Sequence, residues 1–272
     1  MNIEIPNREV VPAEGDYIKD GLIYCGKCHE AKQRRFRNKS INIDRIVSCQ
    51  CKCEAAAYEA EKEACIEQTH RQWIENLRSS GIQDRRMLKY SFGQDRAPDS
   101  TISKLCRKYV ENWKENYDNI LGLLFWGDVG TGKTFYAGCI ANALIEKGVP
   151  VLATDFISIL NELQGMWDGR TQYIRELENY KLIIIDDFGA ERQSDYAIEQ
   201  VFNVINARYK SGQPLILTTN LTMQEIQNPQ DLKHKRIYDR VLEMCMPVRF
   251  TGESVRKEIA AAKRELVKAI NT

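Results

Sequence analysis

The sequence predicts an α/β fold: a parallel sheet flanked by helices, preceded by a small cysteine-rich module and a linking helix. Three observations predict it. After residue 100, short and fully apolar runs alternate with amphipathic stretches; one of those runs feeds a glycine-rich loop that opens a helix; and five of the nine cysteines crowd between residues 25 and 53. Apolar runs that do not alternate with polar residues are strands buried on both faces, as in a parallel sheet covered by helices.

Residues 1–20 are polar, with two prolines and no clear period, and read as a flexible N-terminus. Residues 21–54 hold the cysteine cluster. From 54 to 79 the chain is rich in Ala, Glu, Lys, Gln and Arg without Gly or Pro, which predicts a long, mostly solvated helix. It belongs to a linker and connection over 55–92, broken at SSGIQDRR (79–86). GQDRAPDS (93–100) breaks the chain again, and 93–272 forms the large domain. There the expected helices are 101–117, 134–148, 156–169, 171–180, 194–212 and a terminal one over 252–270. The expected strands are LGLLFW (121–126), PVLATD (150–155), KLIIID (181–186), PLILTTN (214–220) and MPVRF (246–250).

The net charge of +1 supplies no global field toward nucleic acid, so any such contact needs a local basic patch. The N-terminus lacks a basic stretch followed by an apolar core, and the longest apolar run, ILGLLFW (120–126), is far short of a membrane span. A cytoplasmic protein with no membrane partner is expected. In a reducing compartment the nine cysteines are not disulfides. Cys65, Cys106, Cys139 and Cys245 are scattered and read as small core or surface residues.

GDVGTGKT, residues 127–134, fits the phosphate-loop pattern without a gap, between an apolar run and a helix. Gly127, Asp128, Val129, Gly130, Thr131 and Gly132 would wrap backbone N–H groups around phosphates, because the glycines allow turns that a side chain obstructs. The following helix points its N-terminus at the same charge. Lys133 can reach the β- and γ-phosphates, and Thr134 can ligate Mg²⁺. The acidic half of such a site is KLIIIDDFGAE: Asp186 would hold Mg²⁺, and Asp187 could orient or deprotonate the attacking water, with Glu191 in reserve. Asn220, at the tip of PLILTTN, could sense the γ-phosphate and hold the water.

The order of phosphate loop, acidic strand, TTN strand and arginine-bearing helices resembles the AAA+ class. LIIIDDFGAE, LILTTN, KRIYDRVLEMC and GESVR narrow this. Over about residues 80–258 the chain resembles the DnaC/DnaI-type replicative helicase loaders and their relative IstB, a transposition helper ATPase. The resemblance implies an AAA+ ATPase that uses ATP and Mg²⁺ and is weak until oligomerised or partner-bound. It implies a homo-oligomer whose helix arginine acts in trans as a finger: by match of RIYDRV this is Arg240, with Arg236 second. Arg256 in GESVR would read nucleotide within its own subunit. The implied partners are a DnaB-type replicative helicase and single-stranded DNA. Many relatives carry Asp-Glu where this chain has Asp186-Asp187, which shortens the reach to water. The same catalytic residues would serve an IstB-like helper acting on duplex DNA. A reading from another class is a zinc-bearing adaptor that binds ATP and hydrolyses it weakly.

Cys25 and Cys28 form C-x-x-C, and Cys49, Cys51 and Cys53 follow at the return distance of a zinc ribbon. Four thiolates suit Zn²⁺ and would hold together a segment with little apolar mass. The sequence leaves open which four of the five bind; His29 is a weaker alternative. Between the two groups lies KQRRFRNK (32–39), five basic residues around one aromatic. It reads equally as a solvated face or as a contact for phosphate and base, and the resemblance adds a grip on the helicase.

Overall fold

A computed structural model of the chain describes residues 11–190, 194–257 and Arg264. Residues 1–10 of the expected N-terminus, Glu191, and the terminal helix beyond Lys257 apart from Arg264 lie outside the described residues. Two compact units emerge, one ending at Gln72 and one beginning at Trp73.

In the first unit, β1 (Tyr17–Lys19) pairs antiparallel with β2 (Leu22–Tyr24), and β3 (Gln33–Asn38) pairs antiparallel with β4 (Ile43–Ser48). Asn38 caps the turn between β3 and β4 by accepting the Ser40 N–H at 3.0 Å, and Asn42 closes it in the left-handed region. The only fully buried apolar side chains of this unit, among the described residues, are Ile23, Cys25 and Cys51. Lys32 is buried beside them, paired with Asp16 at 2.7 Å and Glu54 at 2.9 Å. A core this small requires a further source of stability. Helix α1 (Lys52–Gly81) starts in this unit and covers the stretch expected as a long helix; its residues are nearly all exposed up to Ile74.

The second unit holds a five-stranded sheet. Its strands are β5 (Gly122–Gly127), β6 (Val151–Asp155), β7 (Leu182–Phe188), β8 (Leu215–Thr219) and β9 (Cys245–Phe250), in the order β6-β7-β8-β5-β9. Every neighbouring pair is parallel. The five apolar runs read from sequence are these five strands, shifted by one or two residues at their ends. Successive residues face opposite sides: Leu123, Phe125 and Ile184 join one core with α2 (Thr101–Glu111) and α4 (Lys133–Glu146). Leu124, Ile183 and Ile185 join the other with α5 (Phe156–Gly165), α7 (Asp195–Ser211) and α9 (Leu232–Met244). Burying a side chain of this size is worth about 1.5–3 kcal/mol, so both faces contribute.

Two expected helices end early. The helix expected over 101–117 breaks at Asn112 into α2 and α3 (Trp113–Asp118). Asn favours turns over helix interiors, and the Asn116 side-chain amide donates to the Tyr109 carbonyl at 2.9 Å across the break. The helix expected over 156–169 stops at Gly165, and Met166 turns extended before α6 (Arg170–Glu176). The short α8 (Met223–Gln227) begins with a capping box between Thr222 and Glu225. Buried Arg208 on α7 donates to the carbonyls of Tyr180, Lys181 and Pro214 at 2.8–2.9 Å, which fixes the approach to β7 and β8. Among the described residues no helix is long and apolar enough to cross a membrane.

Candidate functional site

In a parallel sheet all carboxyl ends emerge on one edge, and ligands bind there. β5 ends at Gly127, β7 contributes Asp186 and Asp187 near its end, and β8 runs out at Thr219 before Asn220. Residues far apart in sequence therefore meet.

The phosphate loop is held at both ends. Gly127 has φ +129° and Gly130 has φ +88°, where an L side chain is strained. A Cβ on Gly127 would lie 2.2 Å from the Phe250 carbonyl oxygen, and one on Gly130 would lie 2.1 Å from Ser254 Oγ. The Val255 N–H donates to the Gly130 carbonyl at 3.0 Å. The GESVR segment is thus fastened to the loop, and Arg256 follows one residue later, exposed. Asp128 and Val129 form the exposed tip, and Thr131 donates its hydroxyl to the Asp128 carbonyl at 2.8 Å. The Lys133 ammonium lies inside the loop, donating to the carbonyls of Gly127 at 2.7 Å and Asp128 at 2.8 Å. Burial pulls its pKa down; the carboxylates of Asp187, Asp128 and Asp186 oppose this, and the Arg256 charge adds to it.

Thr134 donates to Asp186 at 2.9 Å (Oδ1) and 3.1 Å (Oδ2), joining the loop to the acidic strand across 52 residues. Asp186 is buried. Burial raises its pKa, the hydroxyl of Thr218 opposes that rise, and the charge of Asp187 adds to it. A hydroxyl and a buried carboxylate at this spacing are a donor set fit for Mg²⁺. Asp187 is exposed and left-handed at φ +52°, where the β7–β8 register shifts between Ile185 and Phe188. A non-glycine residue there is strained, and such strain clusters at functional positions. Asn220 donates to Asp187 Oδ1 at 3.4 Å. The loop, both carboxylates and Asn220 therefore form one constellation.

Thr218 lies within LILTTN, where the sequence gives it no role of its own. Its hydroxyl donates to Asp186 Oδ1 at 2.5 Å and accepts the Asp187 N–H at 3.0 Å. The polar pair ending an otherwise apolar strand, Thr218-Thr219, was its signal. Beside the carboxylates opens a cleft of about 430 Å³, lined by Gln83, Asp84, Arg86, Asp155, Asp186 and Asp187.

The two finger candidates stand outside this constellation. Arg240 lies on α9 with its guanidinium 4.5 Å from the Phe202 ring and 5.7 Å from the Tyr209 ring, and among the described residues its buried Nη1 has no hydrogen-bond partner. Arg236, one turn earlier, is exposed.

In the first unit, the sulfurs of Cys25, Cys28 and Cys51 lie within 4.8 Å of one another. The backbone N–H of Glu30, and next that of Cys53, donate to Cys28 and lower its pKa to about 6, with the Cys53 and Cys25 thiols also adjoining it. Donors aimed at a thiolate fit a metal-binding sulfur. Cys49 instead donates to the Ala31 carbonyl at 3.2 Å. The sulfurs of Cys25, Cys28 and Cys51 are a donor set compatible with Zn²⁺, and Cys53 adjoins Cys28.

The family model for IstB-like ATP binding protein matches residues 56–262. The chain belongs to this ATP-binding family. Its AAA+ fold is shared with the crystal structure of DnaI, at a TM-score of 0.55 and 23% identity over 65% of this chain and 98% of that one. The crystal structure of the DnaC helicase loader gives a TM-score of 0.53 at 23% identity, over 62% of this chain and all (100%) of that one. By sequence the chain is 28% identical to the replicative helicase loader DnaC of Escherichia coli K12, over 59% of its own length and 64% of the relative's. It is 25% identical to the replicative helicase loader DnaI of Bacillus subtilis, over 50% of its own length and 47% of the relative's. The similarity thus spans about half to two-thirds of each relative.

Proposed function

We propose that this protein is an ATP-dependent loader of a replicative DnaB-type helicase onto single-stranded DNA. The observation that carries the reading is the joining of Thr134 to Asp186 and of Asn220 to Asp187 in a chain similar to two replicative helicase loaders. The reaction is ATP plus water to ADP plus phosphate. Lys133 and the loop N–H groups hold the phosphates, and Thr134 and Asp186 hold Mg²⁺. Asp187 orients the water and takes its proton, with Asn220 fixing the carboxylate. Arg256 reads the nucleotide from within the subunit, and an α9 arginine, Arg240 or Arg236, reaches the site of a neighbouring copy in a homo-oligomer.

The division of labour follows the expected domains. Residues 21–54 form a zinc module on Cys25, Cys28, Cys51 and Cys53 that, with the linker over 55–92, holds the helicase. Residues 93–272 bind ATP and single-stranded DNA. The family name supports a second reading, a transposition helper on duplex DNA that shares every catalytic residue.

The test is helicase transfer. A DnaB-type helicase from the same source is given circular single-stranded DNA bearing an annealed oligonucleotide, with and without this protein and ATP. Release of the oligonucleotide that needs both supports the reading; release unaffected by this protein contradicts it.

A further inference from the structure

The β3–β4 hairpin concentrates charge. Between residues 32 and 48 there are six basic side chains and one acidic, although the whole chain is only +1. The pairing register sorts these charges onto two faces. Opposite residues in an antiparallel pair share a face. Arg35 and Arg37 therefore share one with Asp44, which binds both, at 2.8 Å and 2.9 Å. Asp44 thus cancels one of the two positive charges on that face, and both guanidinium groups are paired.

The other face differs. Phe36 stands directly opposite Arg45, and Arg34 lies two residues from Phe36 on the same side. Phe36 is 44% exposed, and both arginines are exposed. Among the described residues no carboxylate pairs with Arg34 or Arg45, while Val47 and Ile43 flank them half-buried. Directly opposite Cβ atoms in such a ladder are about 4.5–5.5 Å apart, and diagonal ones about 7–8 Å. An open aromatic ring therefore shares one face of the strand pair with two guanidinium groups to which no carboxylate is paired among the described residues.

We propose that this face binds single-stranded DNA, with Phe36 stacking on a base and Arg34 and Arg45 meeting the flanking phosphates. Its charge complements a polyanion, and a ring beside two cations matches the neighbouring base and phosphates of a single strand. The choice of single-stranded DNA rests on the loader reading; the contact itself needs no nucleotide and lies outside the ATPase domain. It gives the protein a second, ATP-independent hold on the strand.

The test is fluorescence anisotropy of the full chain with a labelled twenty-base oligo(dT), without nucleotide or Mg²⁺, over a range of salt. Phe36→Ala should weaken binding about tenfold. Arg34→Gln and Arg45→Gln should each reduce the slope of log affinity against log salt by about 0.7. Arg35→Gln, with equal charge loss on the paired face, should change affinity less than twofold. All four side chains are exposed, and unchanged thermal melting confirms that the variants fold. Equal losses for all three arginines, or binding indifferent to Phe36, would overturn the proposal. So would face variants that bind oligo(dT) normally but lose the helicase, since the face would then dock an acidic protein surface. Helicase complex formation is measured separately, so failure here leaves the loader reading standing.

Discussion

The Thr218 hydroxyl donates to Asp186 Oδ1 at 2.5 Å while accepting the Asp187 N–H at 3.0 Å. One buried side chain on β8 thus sets the two consecutive carboxylates of β7. It aims Asp186 at Thr134 and holds the strained backbone that turns Asp187 outward. Thr218→Val keeps the shape and removes the hydroxyl. Turnover should fall about 10–100-fold, since small misplacements of reacting groups are costly, with nucleotide affinity changed only a few-fold. The unpaired Asp187 N–H should cost about 1 kcal/mol of stability. Steady-state ATPase assays and denaturant melts measure both.

Asp187→Asn retains a residue that tolerates the left-handed region and removes the proposed base. Turnover should fall about 100-fold or more, while binding of a fluorescent ATP analogue persists. Undiminished turnover would move the base elsewhere.

Asp186 yields a pH prediction. Burial and the charge of Asp187 raise its pKa in the folded protein, so the fold binds this proton more readily than the unfolded chain. Its contribution is most favourable below the ordinary carboxylate pKa of about 3.9 and is lost as pH rises through the folded value. At neutral pH the apo fold therefore carries a penalty. Asp186→Asn, which still accepts from Thr134 and Thr218, should raise the apo Tm at pH 7, by about 2–4 °C for each kcal/mol relieved. The gain should shrink toward pH 4, and Mg²⁺-dependent turnover should vanish.

Lys133→Ala should remove the thermal shift that ATP confers. A ligand at a hundred times its Kd stabilises by about 2.7 kcal/mol, so the loss is readily seen by calorimetry. Nucleotide-dependent assembly should disappear with it. Arg240→Ala should leave ATP binding by the monomer intact and remove turnover in the proposed oligomer; if turnover survives, exposed Arg236 is the next candidate to substitute.

About one zinc per chain is expected, as a four-thiolate site requires. Cys28→Ser should lose the metal and expose residues up to 72 to protease. Cys49→Ser, whose sulfur faces the Ala31 carbonyl, should keep it. Elemental analysis reads both.

What the sequence displayed depended on how local the signal is. The phosphate loop is eight contiguous residues, and the five strands are uninterrupted apolar runs, so both were legible. Asp186, Asp187 and Asn220 were legible because they end such runs. Thr218 was not, because its role comes from β7 and β8 lying side by side. Which cysteines cluster also needed the fold, which gathers the sulfurs of Cys25, Cys28 and Cys51 while the Cys49 thiol donates to the Ala31 carbonyl. QRRFRN read as a charge run rather than a strand, since its alternation is among polar residues and its partner strand buries little. Asn112 broke a helix whose apolar period continued through it.

The central claim is tested most directly by mixing the protein with a DnaB-type helicase from its own source, in ATP or ADP, and measuring the mass of what forms. The account predicts a complex whose mass or amount changes with the nucleotide. No complex in either nucleotide, together with ATP-dependent binding to duplex DNA, would contradict it and make the same site the motor of a transposition helper.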